Sequence, residues 1–525
     1  MTLFKTIITL LPAAVLTLGI TSCGGGQGKA SGNTEDESIV LPPDIPQKVY
    51  VRTPASIIDD TLSSHICALA GKGDSLKVTG YDTVFVKAVG LPKEDPGYKA
   101  ELYRIRRLKV KTFRSGKEGY IFARYTVDSL HKALERYKPE IYDSIQTIAR
   151  DRFKAGSALS CDYWPYERPD FVYKKMPRPC NAFYLNISPA GLRRIDEYIA
   201  LADSTRINAF VIDIKDDDSP GYKAEAFERW SPTSFARAGR EKEELYERAV
   251  RRIHERGYYA IGRITCFKDK LYAKDHPENA ILDRRTGEPF VHDGTSWPSA
   301  YSREVWQFNV NLAKESVRKF GFDEINFDYV RFPDRVTSLN DSLDYRNIYN
   351  ETKVQAIQNF VRYATDELHE EGVAVSVDVF GESANKGYTT AYGQYWPAIS
   401  NIADAICAMP YPDHFSDNYY GISKPWRHPY QILRAWGERA AARQRETPSP
   451  GRARTWIQSY KVMKHIDRQG PDNDSTFIAS QLQGLYDAGL RDGFNTWMSS
   501  GSIATYRKQK AAYARDYSVI SPSLP

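Results

Sequence analysis

The chain has little of what marks several large classes of protein. Only 6 of its 525 residues are cysteine, and no residues have metal-ligand spacing, so we expect neither a metal nor another cofactor. The net charge is only +6 and the basic residues are scattered, which argues against a nucleic-acid surface. Beyond the N-terminus, no apolar run is long enough to cross a membrane. What remains is a globular protein of two or three domains.

The N-terminus has the pattern of a bacterial export signal. Lys5 precedes an apolar run from Ile7 to Ile20 that is too short to span a bilayer comfortably. The run ends in "ITSCG", which resembles a lipobox with Cys23 as the lipidated residue. We therefore expect a signal peptide over residues 1–22 and a lipid anchor on Cys23 that holds the protein in the bacterial envelope. The alternative is a plain cleaved signal peptide.

Five cysteines remain if Cys23 carries lipid: Cys67, Cys161, Cys180, Cys266 and Cys407. The envelope is an oxidising compartment, so Cys161 and Cys180 are candidates for a disulfide. The alternative is that all five are buried free thiols.

The region before the main domain divides into three parts. Residues 23–45 are rich in Gly, Ser and charge and predict a flexible tether. Residues 46–126 contain short alternating strands, which predict a small β-barrel with an insertion at residues 91–99. Residues 127–180 predict a linker that is helical over 128–155 and then rich in Pro and Tyr.

The small β-barrel also carries a resemblance. The segments "VRTPASI", "GKGDSLKVTG" and "SGKEGYIFARY" resemble the bacterial Src-homology-3-like domain. That resemblance implies binding of cell-wall peptides and makes peptidoglycan a candidate partner. The alternative is a spacer that packs on the next domain.

Strand and helix patterns alternate from residue 181 to about residue 515. Eight strands are predicted, with amphipathic helices such as Glu241–Arg256, Arg303–Phe320 and Thr352–Glu371 between them. The strands are Asn181–Asn186, Ala209–Lys215, Tyr259–Phe267, Glu324–Phe332, Ala374–Gly381, Ala405–Tyr411, Thr455–Tyr460 and Phe494–Ser499. Eight such units predict an α/β fold, a closed (β/α)8 TIM barrel. A doubly wound open sheet is the alternative, but no Gly-rich phosphate loop follows the first strand.

Two of the predicted strands carry a carboxylate where an apolar residue would be expected. In "EINFDYVRFP" Asp328 shares a face with Asn326, and in "VSVDVFGE" Asp378 occupies the corresponding position. A buried carboxylate is costly unless it is paired or used. Two carboxylates at the ends of neighbouring parallel strands are what glycoside hydrolysis requires.

Further polar and aromatic residues fall at the C-terminal ends of the strands, where the site of such a barrel lies. The candidates are Asp213, Lys215, Asp216, Arg263, Tyr329, Arg331, Tyr411, His414 and Trp497. We expect Asp213 and Asp216 to hold sugar hydroxyls and Tyr411 or Trp497 to stack on a ring, while Arg263 or Arg331 keeps Asp328 ionised. Purely structural roles are the alternatives: Arg331 as a partner of Asp328, Asp213 as an anchor for Lys215, and His414 as a strand cap.

These motifs together carry a family resemblance. "FVIDIKDD", "GRITCFKD", "NFDYVRFP", "VSVDVFG" and "AMPYPDHF" resemble, over residues 181 to 510, bacterial glycoside hydrolases with a TIM-barrel domain that are distantly similar to α-amylases and α-galactosidases. The resemblance implies that the nucleophile is the carboxylate ending strand four, Asp328. It implies an acid/base on strand five or six, which is Asp378, with Asp413 or Glu382 as alternatives.

The sequence therefore predicts a glycosidase, retaining in mechanism, that acts on an envelope or extracellular polysaccharide. A glycan-binding protein without catalysis is the second hypothesis. A cell-wall scaffold in which residues 46–126 bind peptidoglycan is the third. A metal-dependent deacetylase is disfavoured, because no His and Asp residues have ligand spacing.

Overall fold

A computed structural model describes residues 46–60, 64–84, 104–138, 154–239, 241–385 and 389–518. The lipobox with Cys23, the tether and the insertion at residues 91–99 lie outside this part of the chain, so the inferences about them stay predictions. Within the described part, none of the helices combines the length and the apolar character that crossing a membrane would need.

The first described unit is an antiparallel sheet. Its strands are β1 (Lys48–Val51), β2 (Ala55–Ile58), β3 (Ile66–Ala70), β4 (Ser75–Val84), β5 (Arg104–Thr112), β6 (Glu118–Phe122) and β7 (Thr126–Val127), in the spatial order β3-β2-β6-β5-β4-β1-β7. Apolar side chains on one face, including Val51, Ile57, Val110 and Ile121, form a small core of their own. The short strands predicted for residues 46–126 are thus present, and the resemblance to a particular domain family stays a prediction.

The described part of the segment between the sheet and the barrel contains two short helices. Helix α1 (Leu130–Leu134) begins at the Ser129 cap and ends after five residues, because the backbone of Glu135 is extended. A second short helix, α2 (Asp170–Lys175), lies in the part predicted as a connector. Residues 139–153, which carry the rest of the predicted helix, lie outside the described part of the chain.

The remainder forms a closed barrel of eight parallel strand positions with short strands in its loops. In chain order the strands are β8 (Cys180–Leu185), β9 (Ala209–Asp216), β10 (Ser219–Pro220), β11 (Tyr259–Thr265), β12 (Leu282–Asp283), β13 (Val291–His292), β14 (Thr295–Ser296), β15 (Glu324–Asp328), β16 (Leu343–Asp344), β17 (Ala374–Phe380), β18 (Ala405–Met409), β19 (Arg452–Ala453), β20 (Thr455–Gln458) and β21 (Gly493–Trp497). The barrel order is β8-β9-β11-β15-β17-β18, then β19 with β20, then β21 back to β8. All eight predicted strands are found, so the predicted (β/α)8 fold is confirmed.

Helices surround the barrel. They are α3 (Pro189–Arg193), α4 (Ile195–Ala202), α5 (Glu225–Trp230), α6 (Pro232–Arg237), α7 (Glu241–Glu255), α8 (Lys270–Asp275), α9 (Arg303–Phe320), α10 (Lys353–His369), α11 (Trp396–Ser400), α12 (Pro429–Glu446), α13 (Ser475–Asp487) and α14 (Ile503–Ala514). Their apolar faces and the outward-facing strand residues form a continuous core. The two long loops after β11 and β15 pair with each other through β12 and β16 at the top of the barrel.

Inward-facing residues form a second core inside the barrel. It contains Ala182, Val211, Ile261, Cys407 and Trp456. The described cysteines are all free, so the candidate disulfide between Cys161 and Cys180 is not formed. The physical reason is their position: Cys161 packs outside the barrel against α10, whereas Cys180 lies inside it.

Candidate active site

A bulge at the end of β9 places two aspartates on the same side of that strand. The pairing of β9 with β11 shifts by one residue between Arg263 and Ile264, so that Asp213 pairs with Arg263 and Lys215 with Ile264. Ile214 packs in the outer core and Lys215 lies over the ring of Phe308 on α9. Asp213 and Asp216 therefore both face the barrel axis.

Arg263 is the centre of the site. Its guanidinium is buried, and Nη1 donates hydrogen bonds to Asp213 Oδ1 at 2.6 Å and Asp216 Oδ1 at 3.2 Å. Nη2 donates to Asp328 Oδ2 at 2.5 Å, and Nε lies 3.9 Å from Asp378 Oδ2. One guanidinium thus gathers four carboxyl groups from strands β9, β15 and β17, as its fork of donors allows.

Asp213 is the most buried of these four carboxyl groups. Its Oδ2 accepts a hydrogen bond of 2.5 Å from the hydroxyl of Tyr184. Burial, reinforced by the charge of Asp216 and opposed by Arg263, raises the pKa of Asp213 to about 7.

Asp328 is the last residue of β15 and retains some contact with solvent. Its Oδ1 accepts the backbone N–H of Tyr329 at 2.6 Å, and its side chain is 8% exposed. Tyr329 itself has a φ of 51°, a left-handed conformation that is uncommon for a bulky residue. This turn ends the strand and directs the Asp328 carboxylate towards Arg263 at the top of the barrel.

Asp378 is more enclosed than Asp328. Its Oδ1 accepts hydrogen bonds from Asn326 Nδ2 at 2.8 Å and Trp456 Nε1 at 2.7 Å. Its Oδ2 is buried and has no hydrogen-bond partner in the described part of the chain. Burial, with the charge of Asp328 added and Arg263 opposing, holds the pKa of Asp378 well above its usual range.

The remaining candidates lie at different distances from this cluster. The Trp497 ring packs against that of Tyr184 at an interplanar angle of 47°, and the Arg263 guanidinium lies 5.2 Å from the Trp497 ring centroid. Tyr411 is buried with its ring 5.1 Å from that of His414, whose side chain is half exposed. Burial lowers the pKa of His414.

Two predicted site residues form ion pairs of their own. The Nζ of Lys215 lies 2.7 Å from Asp269 Oδ2 in a buried pair, so Asp213 does not anchor it. Arg331 pairs with Asp334 at 3.0 Å, and its guanidinium lies 4.4 Å from the Phe380 ring centroid. Arg263, rather than Arg331, is the cation against Asp328.

Asp413 and Glu382, the alternatives for the acid/base, both form hydrogen bonds away from Arg263. Asp413 is buried and accepts hydrogen bonds from the hydroxyl of Tyr460 at 2.7 Å and the N–H of Met463 at 3.1 Å. Glu382 is exposed and accepts a hydrogen bond from the hydroxyl of Tyr392. No contact of either with Arg263 is seen within the described residues.

The sequence analysis did not identify an ion pair between Lys268 and Asp217 at the mouth of the site. Lys268 Nζ donates to Asp217 Oδ2 at 2.6 Å and to the Tyr329 hydroxyl at 3.4 Å. Both residues lie in the motifs "FVIDIKDD" and "GRITCFKD", so their position at strand ends was a usable signal. Trp456 gave no such signal, because only the closed barrel brings it to Asp378.

The arrangement contains no metal site among the residues that the structure describes. It presents Asp328 and Asp216 beside one buried guanidinium, with aromatic rings at the rim. Carboxyl groups in this setting can act as nucleophile, acid or base, and aromatic faces can pack against sugar rings.

Comparison with known proteins assigns the barrel to a family. A family model described as "Putative glycosyl hydrolase domain" matches residues 182–502, which is more than half of the chain. The chain therefore belongs to this glycosyl hydrolase domain family.

Solved structures similar to the chain include several glycoside hydrolases. A hypothetical protein from Ruminiclostridium thermocellum is 32% identical, with 38% of this chain and 97% of that chain covered, at a TM-score of 0.32. The PgaB (BpsB) glycoside hydrolase domain from Bordetella bronchiseptica is 13% identical, with 65% and 100% covered, at a TM-score of 0.43. The spore cortex-lytic enzyme SleL from Bacillus megaterium is 12% identical, with 65% and 75% covered, at a TM-score of 0.37. No curated protein matched the chain.

Proposed function

We propose that this protein is a glycosidase that hydrolyses the O-glycosidic bonds of a polysaccharide. The observation that carries the proposal is the set of carboxyl groups around Arg263 at the C-terminal ends of the barrel strands. This is where the catalytic groups of TIM-barrel enzymes lie. Membership of the glycosyl hydrolase domain family supports it.

Asp328 has the features that a nucleophile needs. Its side chain retains 8% exposure, it lies at a strand end, and Arg263 Nη2 lies 2.5 Å from its Oδ2. The hydrogen bond from the Tyr329 N–H leaves the carboxylate with a fixed orientation. We propose a retaining reaction in which Asp328 attacks the anomeric carbon and a second carboxyl group protonates the leaving oxygen. The sequence predicts Asp378 for that second role.

A screen of the purified protein against α- and β-linked glycans tests this function. We expect hydrolysis of at least one glycan, with NMR showing a first product of the same anomeric configuration as the substrate. Asp328→Asn, which preserves the shape of the side chain, should lower the rate by several orders of magnitude and leave the circular dichroism spectrum unchanged. Wild-type activity in Asp328→Asn would contradict the proposed nucleophile.

The same screen distinguishes the glycosidase from the second hypothesis, glycan binding without catalysis. The enclosure of Asp378 is the observation that favours it, because a carboxyl group that is only 1% exposed does not reach the glycosidic oxygen of a bound sugar. It predicts that the wild-type protein retains a glycan on an array and releases no product. Hydrolysis that Asp328→Asn abolishes, with binding retained, would exclude it.

We also propose that the enzyme works in the bacterial envelope, anchored by lipid on Cys23 and acting on envelope or extracellular polysaccharide. The motif "ITSCG" after a short apolar run supports the anchor. Cys23→Ala should move the protein from the membrane to the soluble fraction. An unmodified N-terminus beyond Cys23 in mass spectrometry would contradict it. Binding of peptidoglycan by residues 46–126 is tested by a pull-down of the full chain with purified sacculi.

A further inference from the structure

The group that protonates a leaving oxygen has to touch the substrate, and Asp378 is poorly placed to do so. Its side chain is only 1% exposed. Both hydrogen bonds to its Oδ1 come from inside the barrel, from Asn326 and Trp456. Its other oxygen is buried and turned towards Arg263. A sugar bound above the strand ends meets Asp328, whose side chain is 8% exposed, before it reaches Asp378.

Asp216 is the carboxylate that does reach the mouth of the site. It ends β9, and its side chain is 37% exposed. Its contact with Arg263 Nη1, at 3.2 Å, is longer than those of Asp213 at 2.6 Å and Asp328 at 2.5 Å. Asp216 and Asp328 thus lie on opposite arms of one guanidinium, with the open side of the barrel above them.

The backbone around Asp216 is fixed. Ser219 in β10 pairs back with Asp216, so the chain reverses immediately after it. The next residue, Asp217, adopts a φ of 41° and is held by Lys268 through a 2.6 Å ion pair. The N–H of Asp217 also donates to Thr265 Oγ1 at 2.8 Å on the neighbouring strand. A group held in this way keeps its geometry while a substrate binds.

We propose that Asp216 is the general acid and base of the reaction, and that Asp378 is a positioning residue that acts through Arg263 and Asp328. This inference rests on the proposed glycosidase function. Asp328 forms a bond to the anomeric carbon while the glycosidic C–O bond breaks. The electron pair of that bond goes to the leaving oxygen, which takes the proton of the Asp216 carboxyl group.

The second half of the reaction returns the enzyme to its starting state. A water molecule attacks the anomeric carbon and gives one proton to the Asp216 carboxylate. The ester bond breaks, and its electron pair returns to Asp328. Water supplies the hydroxyl group of the product, and no other reactant is needed.

Leaving-group dependence tests this assignment. Wild-type, Asp216→Asn and Asp378→Asn proteins are assayed with paired methyl and 2,4-dinitrophenyl glycosides of hexoses and N-acetylhexosamines in both anomeric forms. For Asp216→Asn we expect hydrolysis of the methyl glycoside to fall by about 10²–10⁴-fold, the usual size of general acid catalysis. The dinitrophenyl glycoside needs no acid, so it should still give a burst of dinitrophenolate. Azide should then accelerate turnover and yield a glycosyl azide of retained configuration.

The other variants separate the possible outcomes. Asp378→Asn should slow both glycosides by the same factor, with no rescue by azide. Asp218→Asn is the matched control, because Asp218 belongs to the same acidic run but pairs with Lys270 at 2.5 Å. It should behave as wild type. If Asp378→Asn, and not Asp216→Asn, shows leaving-group dependence and azide rescue, Asp216 is not the general acid and base. The proposed glycosidase function would stand in that case. Hydrolysis of no glycoside by the wild-type protein would overturn the proposed function and this inference with it.

Discussion

Arg263 brings a positive charge into the barrel, where an unpaired ion would cost several kcal/mol. Asp328 compensates that charge at 2.5 Å from one arm of the guanidinium, and Asp213 accepts a hydrogen bond of 2.6 Å from the other arm. A lysine at this position could not span both, because an ammonium group has no planar fork of donors. The geometry of the site therefore depends on the shape of this side chain as well as on its charge.

Arg263→Lys should consequently lower hydrolysis of a substrate from the glycan screen by at least about 100-fold, as the loss of a fixed electrostatic donor does. It should also lower the melting temperature. Arg335→Lys is the control, since Arg335 is 75% exposed and pairs at the surface with Asp293 and Asp334. Its stability should stay within about 0.5 kcal/mol of wild type. Equal activity in Arg263→Lys and wild type would show that the fork is dispensable.

Asp213 makes a separate prediction about pH. Its pKa is about 7 in the folded protein, because of burial, and about 3.9 in an unfolded chain. Between these values the folded state binds more protons than the unfolded state, so this contribution to stability is complete below about pH 4 and is lost as the pH rises through 7. Asp213→Asn should therefore lose less stability than wild type between pH 4 and pH 7 in urea titrations.

The comparison needs a control in which an exposed carboxyl group is removed. Asp170→Asn serves, because the Asp170 side chain is 89% exposed. Its stability should follow the wild-type curve across this range. If Asp213→Asn also follows that curve, the carboxyl group does not retain its proton in the folded state.

How far the sequence predicts the site depends on where each residue lies along its strand. Asp328 and Asp378 share the inward parity of adjacent strands, and the register of β15 with β17 places them at the same level, as expected. Burial differs between them because Asp378 lies against Trp456 and Asn326, contacts that only the closed barrel creates. Sequence parity therefore predicts which residues face inward and leaves open which of them reach solvent.

At the scale of elements, the bulge in β9 limits what alternation can predict. A regular strand that turns Asp213 inward would also turn Lys215 inward and Asp216 outward. The one-residue shift reverses the last two, which moves Lys215 to Asp269 and Asp216 to Arg263. The existence and order of the eight strands are robust to such a shift, whereas the assignment of individual side chains to the site is not.

Barrel closure depends on one glycine at the start of the last strand. Gly493 has a φ of 114° and pairs with Cys180 in β8. A Cβ atom at this position would lie 2.0 Å from the Cys180 carbonyl oxygen, which belongs to backbone that cannot move aside. Gly493→Ala should therefore prevent the pairing of β21 with β8 and give protein that is insoluble or unfolds at a much lower temperature.

Gly489 offers a matched control for that prediction. It also has a positive φ, of 89°, but a Cβ atom there would meet nothing within 4 Å. Gly489→Ala should cost only about 1 kcal/mol, from backbone conformation alone. Thermal melts of equal midpoint for the two variants would show that closure tolerates the added methyl group.

At the scale of the whole molecule, a buried polar cluster fixes the N-terminal sheet to the barrel. Glu367 on α10 accepts hydrogen bonds from Lys314 on α9 at 2.8 Å and from Arg107 on β5 at 3.2 Å. Ser64, next to β3, also donates to it. Burial acts to raise the pKa of Glu367, but the charges of Lys314 and Arg107 hold this pKa below its ordinary value.

Glu367→Gln should therefore destabilise the protein strongly, because it leaves Lys314 and Arg107 buried beside a neutral group. Breaking a buried pair in this way costs about 3–5 kcal/mol. Urea denaturation measures the loss, and hydrogen exchange should show the backbone of β3 and β5 losing protection first.

The stabilisation that Glu367 provides depends on pH. A carboxylate whose pKa is lower in the folded state stabilises that state at any pH above its unfolded pKa, which is about 4.3 for Glu. This contribution disappears as the pH falls through the lower pKa of the folded state. The difference in the free energy of unfolding between wild type and Glu367→Gln should thus be largest at pH 7 and shrink below pH 4. Glu255→Gln removes a surface partner of Arg252 and should change stability by less than about 0.5 kcal/mol. A similarly small effect in Glu367→Gln would mean that apolar packing alone holds the sheet against the barrel.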